Sequence, residues 1–142
     1  MKINFTKKQY KQLLDLAFLG EFFGNGTRMP DERDKAIHDI YQYVLSFADR
    51  FQMDDLIEYE GKFDEYMPTR EFEEQLEEYI NKYDNDSFWE ELPAKLAKRD
   101  IDRSGETFEN GDDYMRRLFE IEAKYEEEFE KHGINRLYIK EK

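Results

Sequence analysis

The sequence predicts a mainly α-helical fold, a single-domain five-helix bundle over residues 1–142. The pattern of the chain termini is also compatible with a short two-stranded ribbon between them. The length of 142 residues fits one domain. Twelve Phe, ten Tyr and one Trp supply apolar area for a core, although 40% of the residues are charged. These apolar residues recur mostly at three- and four-residue spacing, which is typical of amphipathic helices.

The first two helices are predicted from caps and apolar stripes in residues 6–51. Thr6 can accept a hydrogen bond from the N–H groups of the first turn, and residues 24–27 (GNGT) end the first helix. Pro30 lies just before the second helix, predicted over about residues 31–51, because proline suits the start of a helix. This second helix carries a regular apolar stripe of Ile37, Ile40, Tyr41, Val44, Phe47, Ala48 and Phe51.

Residues 52–100 are predicted to form two further helices after a mixed segment. Residues 52–68 show no sustained period, although a short strand over residues 56–59 fits the pattern. Thr69 is predicted to cap a third helix, which residues 84–87 (DNDS) end. Ser87 and Glu90 have the spacing of a capping box, so we predict a fourth helix from there to about residue 100. Pro93 lies inside it and removes one backbone hydrogen bond, which predicts a kink or a delayed start.

A fifth helix is predicted from about Asp112 to His132, and Gly133 ends it in a left-handed conformation. Its inward stripe consists of Tyr114, Leu118, Ile121, Tyr125 and Phe129. The two chain ends, KINF at residues 2–5 and RLYIK at residues 136–140, alternate polar and apolar residues as strands do. They are therefore predicted to pair with each other as the two-stranded ribbon.

The negative charge is concentrated in one part of the chain. The formal net charge is −13, and residues 54–92 contain fifteen acidic and three basic side chains, a net charge of −12. Residues 1–30 contain five basic and two acidic side chains, a net charge of +3. Direct binding of DNA or RNA is disfavoured because acidic side chains repel phosphates. A partner protein with a basic surface fits this distribution better.

The third predicted helix carries the most acidic face of the chain. Glu71, Glu74 and Glu78 share one face at helical spacing, and Glu73 and Glu77 adjoin it. Arg70 and Lys82 are the basic residues that can pair with them at four-residue spacing, whereas the fifth helix spaces its charges to pair as Arg116–Glu120, Glu120–Lys124 and Glu127–Lys131. We interpret the acidic face either as a partner-binding surface, with Trp89 as a further contact residue, or as a solvated face that maintains solubility.

These features favour a non-catalytic interaction module over an enzyme. The chain contains no cysteine, which excludes thiolate zinc sites and cysteine nucleophiles, and the three serines have structural explanations. The first residues contain no apolar run of signal-peptide length, and no stretch of the sequence is long and apolar enough to span a membrane, so we expect a cytoplasmic protein with no membrane contact. A sharper form of the prediction is a DNA mimic, whose spaced carboxylates stand in for phosphates. The sequence leaves monomer and homodimer open.

The alternative function is binding of a divalent cation by residues 100–113 (DIDRSGETFENGDD). Asp100, Asp102, Ser104 and Gly105 match positions 1, 3, 5 and 6 of a calcium-binding EF-hand loop. Position 12, which should be a bidentate Glu, is Gly111, and Asp112 comes one residue late. The simpler interpretation is a polar loop between helices without a cofactor, in which Asp112 or Asp113 caps the next helix.

The two histidines give a weaker metal pattern. His38 follows Asp34 by four residues and His132 follows Glu128 by four, so each pair lies on one helix face and could supply two ligands to a metal ion. Neither has the Glu-x-x-His spacing of a di-iron bundle. We interpret His38 as lying beside a salt-bridged surface and His132 as a last-turn residue favoured by the helix dipole.

Three segments, LLDLAFLGEF (13–22), FWEELPAKLAKRD (88–100) and KYEEEFEKHGINRLYI (124–139), resemble a family of small uncharacterised bacterial helical proteins. The similar positions are helix faces, caps and a terminal glycine, and the similarity runs over most of the chain. The resemblance implies a helical domain of bacterial or phage source. It implies no activity and no site residues.

Overall fold

The computed structural model describes residues 3–139 and is mainly helical. Within these residues it contains four α-helices and one antiparallel ribbon: α1 Lys7–Asn25, α2 Lys35–Leu45, β1 Ile57–Glu60, β2 Glu65–Pro68, α3 Arg70–Ser104 and α4 Gly111–His132. The mainly helical class is confirmed, but the predicted count of five helices is wrong. The chain divides into two compact units, Met1–Tyr79 and Ile80–Lys142, here called the N-terminal unit and the C-terminal unit.

The start of α1 is fixed by the predicted cap. The Thr6 hydroxyl accepts a hydrogen bond from the Gln9 backbone N–H at 3.2 Å, and the Gln9 side-chain oxygen accepts one from the Thr6 backbone N–H at 3.0 Å. These reciprocal bonds form a capping box and satisfy two donors that the first helical turn leaves without partners. The prediction for Thr6 is confirmed.

Helix α2 is shorter at both ends than the predicted range of 31–51. Pro30–Glu32 form a 3₁₀ turn, and Asp34 is the cap, because its carboxylate accepts hydrogen bonds from the backbone N–H groups of residues 36 and 37. The helix ends at Leu45, and Asp49–Phe51 form a second 3₁₀ turn. The apolar stripe continues past the helix, so Phe47, Ala48 and Phe51 still pack on the core.

The core of the N-terminal unit collects side chains from every element in it. Leu14 of α1, Leu45 of α2 and Phe72 of α3 are each fully buried. Phe18 packs edge-on against Phe72, with ring centroids 5.6 Å apart. The remaining buried members are Tyr10, Tyr41, Ala48, Met53, Leu56, Ile57 and Leu76. The core therefore fixes the first turns of α3, and with them the orientation of its acidic face.

The two-stranded ribbon is internal and does not involve the chain termini. β1 and β2 pair antiparallel from Ile57 opposite Pro68 to Glu60 opposite Glu65. Residues 3–5 and 137–139 are irregular, and Lys2 and Lys140, also in the predicted pair, lie outside the described residues. The predicted terminal ribbon is wrong because alternation occurs by chance in short segments, whereas residues 57–68 connect their strands through a tight turn. Asp64 occupies a left-handed position in that turn, with φ of 57°.

The predicted third and fourth helices are one continuous helix, α3, of 35 residues. The prediction of a break at residues 84–87 is wrong because Asp, Asn and Ser each cost only about 0.5 kcal/mol in a helix interior relative to Ala. Lys82 forms an ion pair with Asp86 across one turn of this segment, which offsets part of that cost. Pro93 also lies within the helix, with its ring fully buried.

The C-terminal unit is built from the second part of α3 and from α4. Its buried side chains are those of Pro93, Ala97, Ile101 and Phe129. Asn110 caps α4 by accepting a hydrogen bond from the Asp113 backbone N–H at 3.0 Å, so the prediction of Asp112 or Asp113 as the cap is wrong. Gly133 follows the helix with a positive φ of 55°, but its ψ of −142° lies outside the predicted left-handed helical conformation.

Candidate functional site: the acidic face of α3

The acidic face of α3 is defined here as Glu71, Glu74 and Glu78, with Glu73 and Glu77 beside it. Phe72 and Leu76 turn inward and are buried, and the Thr69 hydroxyl accepts a hydrogen bond from the Phe72 backbone N–H at 3.4 Å. Because residues three and four apart share a helix face, Glu71, Glu74 and Glu78 lie opposite the buried stripe. All five glutamates are exposed.

Most carboxylates of this face are not neutralised. Arg70 Nε lies 2.7 Å from Glu74 Oε1, and Lys82 pairs with Asp86 instead of Glu78. Among residues 3–139, no ion pair is formed by the other four glutamates: Glu71, Glu73, Glu77 and Glu78. The face therefore presents several uncompensated negative charges within two helical turns, which raises the local negative potential.

Helix α4 is also rich in glutamate, but many of its charges are paired. Arg117 binds Glu106 at 3.0 Å and Glu120 at 3.3 Å. The spacing predicts a pair of Arg116 with Glu120, but Arg116 binds Asp113 instead. The predicted Glu127–Lys131 pair is present, and Arg136 binds Glu128 at 3.2 Å. The contrast is between the acidic face and α4: within the described residues, one of the five glutamates of the face is paired, whereas α4 pairs Asp113, Glu120, Glu127 and Glu128.

Glu73 borders a concave site of about 290 Å³ in the N-terminal unit. The other charged side chains around it are Glu21, Arg28 and Arg33, and Tyr41 contributes its phenol. Burial raises the pKa of Tyr41, and the charges of Glu21 and Glu73 raise it further. The Arg28 guanidinium donates a hydrogen bond to the Glu32 backbone carbonyl at 3.2 Å, so one of the two cations at this site holds the neighbouring 3₁₀ turn.

A half-buried polar cluster links three elements of the N-terminal unit. His38 Nδ1 lies 3.0 Å from Glu21 Oε1, and His38 Nε2 lies 3.3 Å from Glu65 Oε1. Through its two ring nitrogens, His38 joins α1, α2 and β2.

Asn25 completes the cluster and is its most buried polar side chain. Its amide nitrogen donates to Glu21 at 2.9 Å and to the Asp34 backbone carbonyl at 3.2 Å. Its carbonyl oxygen accepts from the Asp34 backbone N–H at 2.7 Å. The sequence interpretation missed these contacts because Glu21 and Glu65 lie 17 and 27 residues from His38, and it grouped His38 with Asp34 instead.

Trp89 lies in the C-terminal unit, whereas the acidic face belongs to the N-terminal unit. Its indole ring packs edge-on against Phe88, with ring centroids 5.0 Å apart, and lies 6.0 Å from the Phe129 ring. Trp89 is half-buried and Phe88 is exposed. Trp89, Glu126, Phe129 and Glu130 surround a cavity of about 420 Å³.

The predicted calcium-binding residues occupy a different setting from an EF-hand loop. Helix α3 continues to Ser104, so Asp100, Asp102 and Ser104 lie in its last two turns and the connecting segment covers only residues 105–110. Side chains two residues apart on a helix point to opposite sides, which separates Asp100 and Ser104 from Asp102. Asp112 lies in the first turn of α4 and is exposed.

Asp100 and Ser104 have hydrogen-bonding partners within the C-terminal unit. The Tyr125 hydroxyl donates to Asp100, which lowers the pKa of this carboxyl, and the Arg99 guanidinium donates to it as well. The Ser104 hydroxyl donates to the Ile101 carbonyl and accepts from the Glu106 backbone N–H. Within residues 3–139, no group of three or more His, Asp or Glu side chains is placed to hold a metal ion. Calcium binding stays a prediction from the sequence motif.

No family model, curated protein or solved structure matches this chain. The resemblance to small bacterial helical proteins therefore stays a prediction. Of the helices within residues 3–139, none is both long and apolar enough to cross a membrane.

Proposed function

We propose that this protein is a non-catalytic interaction module that binds a basic surface of another protein through the acidic face of α3. One observation carries the proposal: the five exposed glutamates of this face contain a single ion pair, whereas α4 neutralises several of its charges locally. Like charges close together on one helix face reduce the stability of the free helix. A basic partner removes this repulsion when it binds.

The mechanism is electrostatic steering followed by short-range contact. A patch of one sign attracts a partner of the opposite sign and raises the association rate, an effect that salt screens over about 10 Å at 0.1 M. Exposed apolar side chains of the ribbon, Tyr59, Phe63 and Met67, belong to the same unit and supply candidate short-range contacts. Trp89 stays a predicted contact residue of the C-terminal unit.

The experiment compares two variants with the same change in net charge. The test variant carries Glu71→Lys, Glu74→Lys and Glu78→Lys. The control carries Asp39→Lys, Asp102→Lys and Glu109→Lys, at exposed positions that form no ion pair among residues 3–139. Each protein is immobilised and exposed to a nuclease-treated bacterial lysate at about 50 mM and about 300 mM sodium chloride. The Debye length is about 10 Å at 0.1 M, so exposed charges attract over a longer distance at the lower salt concentration than at the higher one.

We expect the wild type and the control to retain the same basic protein at low salt, and the test variant to lose it. The purified partner must then bind the wild type at least about tenfold more tightly than the test variant, because several close charge pairs are lost together. Equal retention of every partner by the test variant and the control would show that the face maintains solubility alone.

A DNA-competition arm tests the DNA-mimic form of the proposal. Duplex DNA is added to the complex of the wild type with its purified partner. Release of the partner in proportion to the DNA shows that the carboxylates occupy a phosphate-binding surface. A complex that DNA does not disturb, while salt dissociates it, limits the function to binding of a basic protein surface.

A further inference from the structure

The C-terminal unit contains a notch with an aromatic wall and an acidic rim. Trp89 of α3 and Phe129 of α4 form one aromatic wall, in which the half-buried indole packs against the buried Phe129 ring with centroids 6.0 Å apart and planes inclined by 49°. Glu126 and Glu130 of α4 form the rim of this open notch, whose volume is about 420 Å³. This volume lies within the range of about 300–1,000 Å³ that is usual for small-ligand pockets.

The charges around the notch favour a cation. Glu126 and Glu130 are exposed, and neither forms an ion pair among residues 3–139. The glutamates that lie between them in sequence, Glu127 and Glu128, are paired with Lys131 and Arg136. Aromatic faces attract cations through their quadrupole, with Trp the strongest of the three ring types. Phe129 and Glu130 also lie in the last turn of α4, where the carbonyl groups give the helix end a partial negative charge.

Among organic cations, a guanidinium group suits this wall best. It is planar and weakly hydrated, so it stacks on an indole ring at a smaller desolvation cost than an ammonium ion. Its N–H donors can also form charge-assisted hydrogen bonds with two carboxylates at once. A quaternary ammonium ion stacks on aromatic rings but has no donor for Glu126 and Glu130. We infer that the notch binds the guanidinium group of an arginine side chain presented by a partner protein.

The aromatic wall is held in place before any ligand arrives. Phe129 is buried and stacks on Tyr125, with ring centroids 5.8 Å apart and an interplanar angle of 22°. The Tyr125 hydroxyl donates to Asp100 and accepts from Arg99. A Cβ atom on Gly133 would lie 3.9 Å from Trp89 Cη2, so the chain that leaves α4 passes close to the indole. A preformed wall lowers the ordering cost of binding.

Trp89 is the sole tryptophan of the chain, so its fluorescence reports on the notch directly. N-acetyl-arginine amide, N-acetyl-lysine amide and tetramethylammonium chloride are titrated into the wild-type protein at constant ionic strength. We expect a saturable change in Trp89 emission with the arginine compound. The lysine compound and tetramethylammonium should bind at least about threefold more weakly, since each lacks either the planar face or the donors. No saturable change with arginine, or equal binding of tetramethylammonium, would overturn the inference.

A second comparison uses variants that keep side-chain shape. Glu126→Gln with Glu130→Gln should raise the dissociation constant of the arginine compound about three- to tenfold, as expected for the loss of two exposed charge contacts. A control with Asp39→Asn and Glu109→Gln loses the same charge at other positions and should bind as the wild type does. Equal affinity of both variants for arginine would contradict the assignment of the rim.

The notch and the acidic face consist of different residues, so an experiment can refute either proposal without refuting the other. The Glu71→Lys, Glu74→Lys, Glu78→Lys variant should keep the Trp89 response to N-acetyl-arginine amide even when it loses its partner. If this variant keeps both the lysate partner and the Trp89 response, the acidic face is refuted as the main contact while the notch assignment stands.

Discussion

The N-terminal and C-terminal units reach a folded state by different means. Within residues 3–79, the N-terminal unit buries ten apolar side chains from its helices, ribbon and connecting turns. The described part of the C-terminal unit buries four side chains, Pro93, Ala97, Ile101 and Phe129. It relies more on ion pairs and hydrogen bonds along the helix surfaces, such as those of Arg117 and Tyr125. Exposed ion pairs contribute less than apolar burial, so we expect the C-terminal unit to open more readily.

The largest expected effect comes from the core of the N-terminal unit. Leu45→Ala removes a fully buried side chain and should lower the free energy of unfolding by about 2–5 kcal/mol, through lost burial and the cavity left behind. Leu118→Ala in α4 removes a half-buried side chain and should cost less than about 2 kcal/mol. Urea unfolding measures the global change, and amide hydrogen exchange shows which residues open.

Leu16→Ala serves as the control, because Leu16 on α1 is 67% exposed and should change stability by less than about 0.5 kcal/mol. Equal losses for Leu45→Ala and Leu118→Ala would contradict the difference between the units.

Caps and apolar stripes in the sequence predicted much of the helical structure but not the polar contacts between elements. The Thr6 cap and the helix end at Gly133 depend on neighbouring residues, so local reasoning identifies them. The cluster of Glu21, His38 and Glu65 forms only after α1, α2 and the ribbon have packed, and no spacing in the sequence marks it. For the candidate site, helical periodicity placed the glutamates of α3 on one face. It could not show which of them would find a cation.

A smaller effect concerns the stability of the N-terminal unit at alkaline pH. Burial raises the pKa of Tyr10 to about 12 from the ordinary value of 10.0, and its hydroxyl donates to the Val44 carbonyl at 2.7 Å. The unfolded chain releases this proton near pH 10 while the folded protein retains it, so stability is full below pH 10 and falls as pH rises from 10 to 12.

Tyr10→Phe should cost about 1 kcal/mol at neutral pH because one buried hydrogen bond is lost. Its free energy of unfolding should then fall less steeply than that of the wild type between pH 10 and pH 12, where the protonation of Tyr10 differs between the two states. Denaturant unfolding at several alkaline pH values measures both slopes. Identical slopes would show that Tyr10 titrates normally in the folded protein, with Tyr41, whose pKa is also raised, responsible for any remaining alkaline loss.

The smallest expected effect is a change in the free energy of unfolding whose sign distinguishes a continuous α3 from an interrupted one. Ser87 lies inside α3, although its spacing to Glu90 resembles a capping box. In a continuous helix, Ser87→Ala should stabilise the protein by about 0.5 kcal/mol, because Ala has the higher helix propensity. If a helix began at Ser87, the same change would remove a cap and cost about 1 kcal/mol. Asn110→Ala provides the matched control, because Asn110 caps α4 and its loss should cost about 1 kcal/mol. Amide exchange of residues 84–90 localises the change. Faster exchange there in Ser87→Ala would mean that α3 is interrupted, and slower exchange that one helix runs through both units.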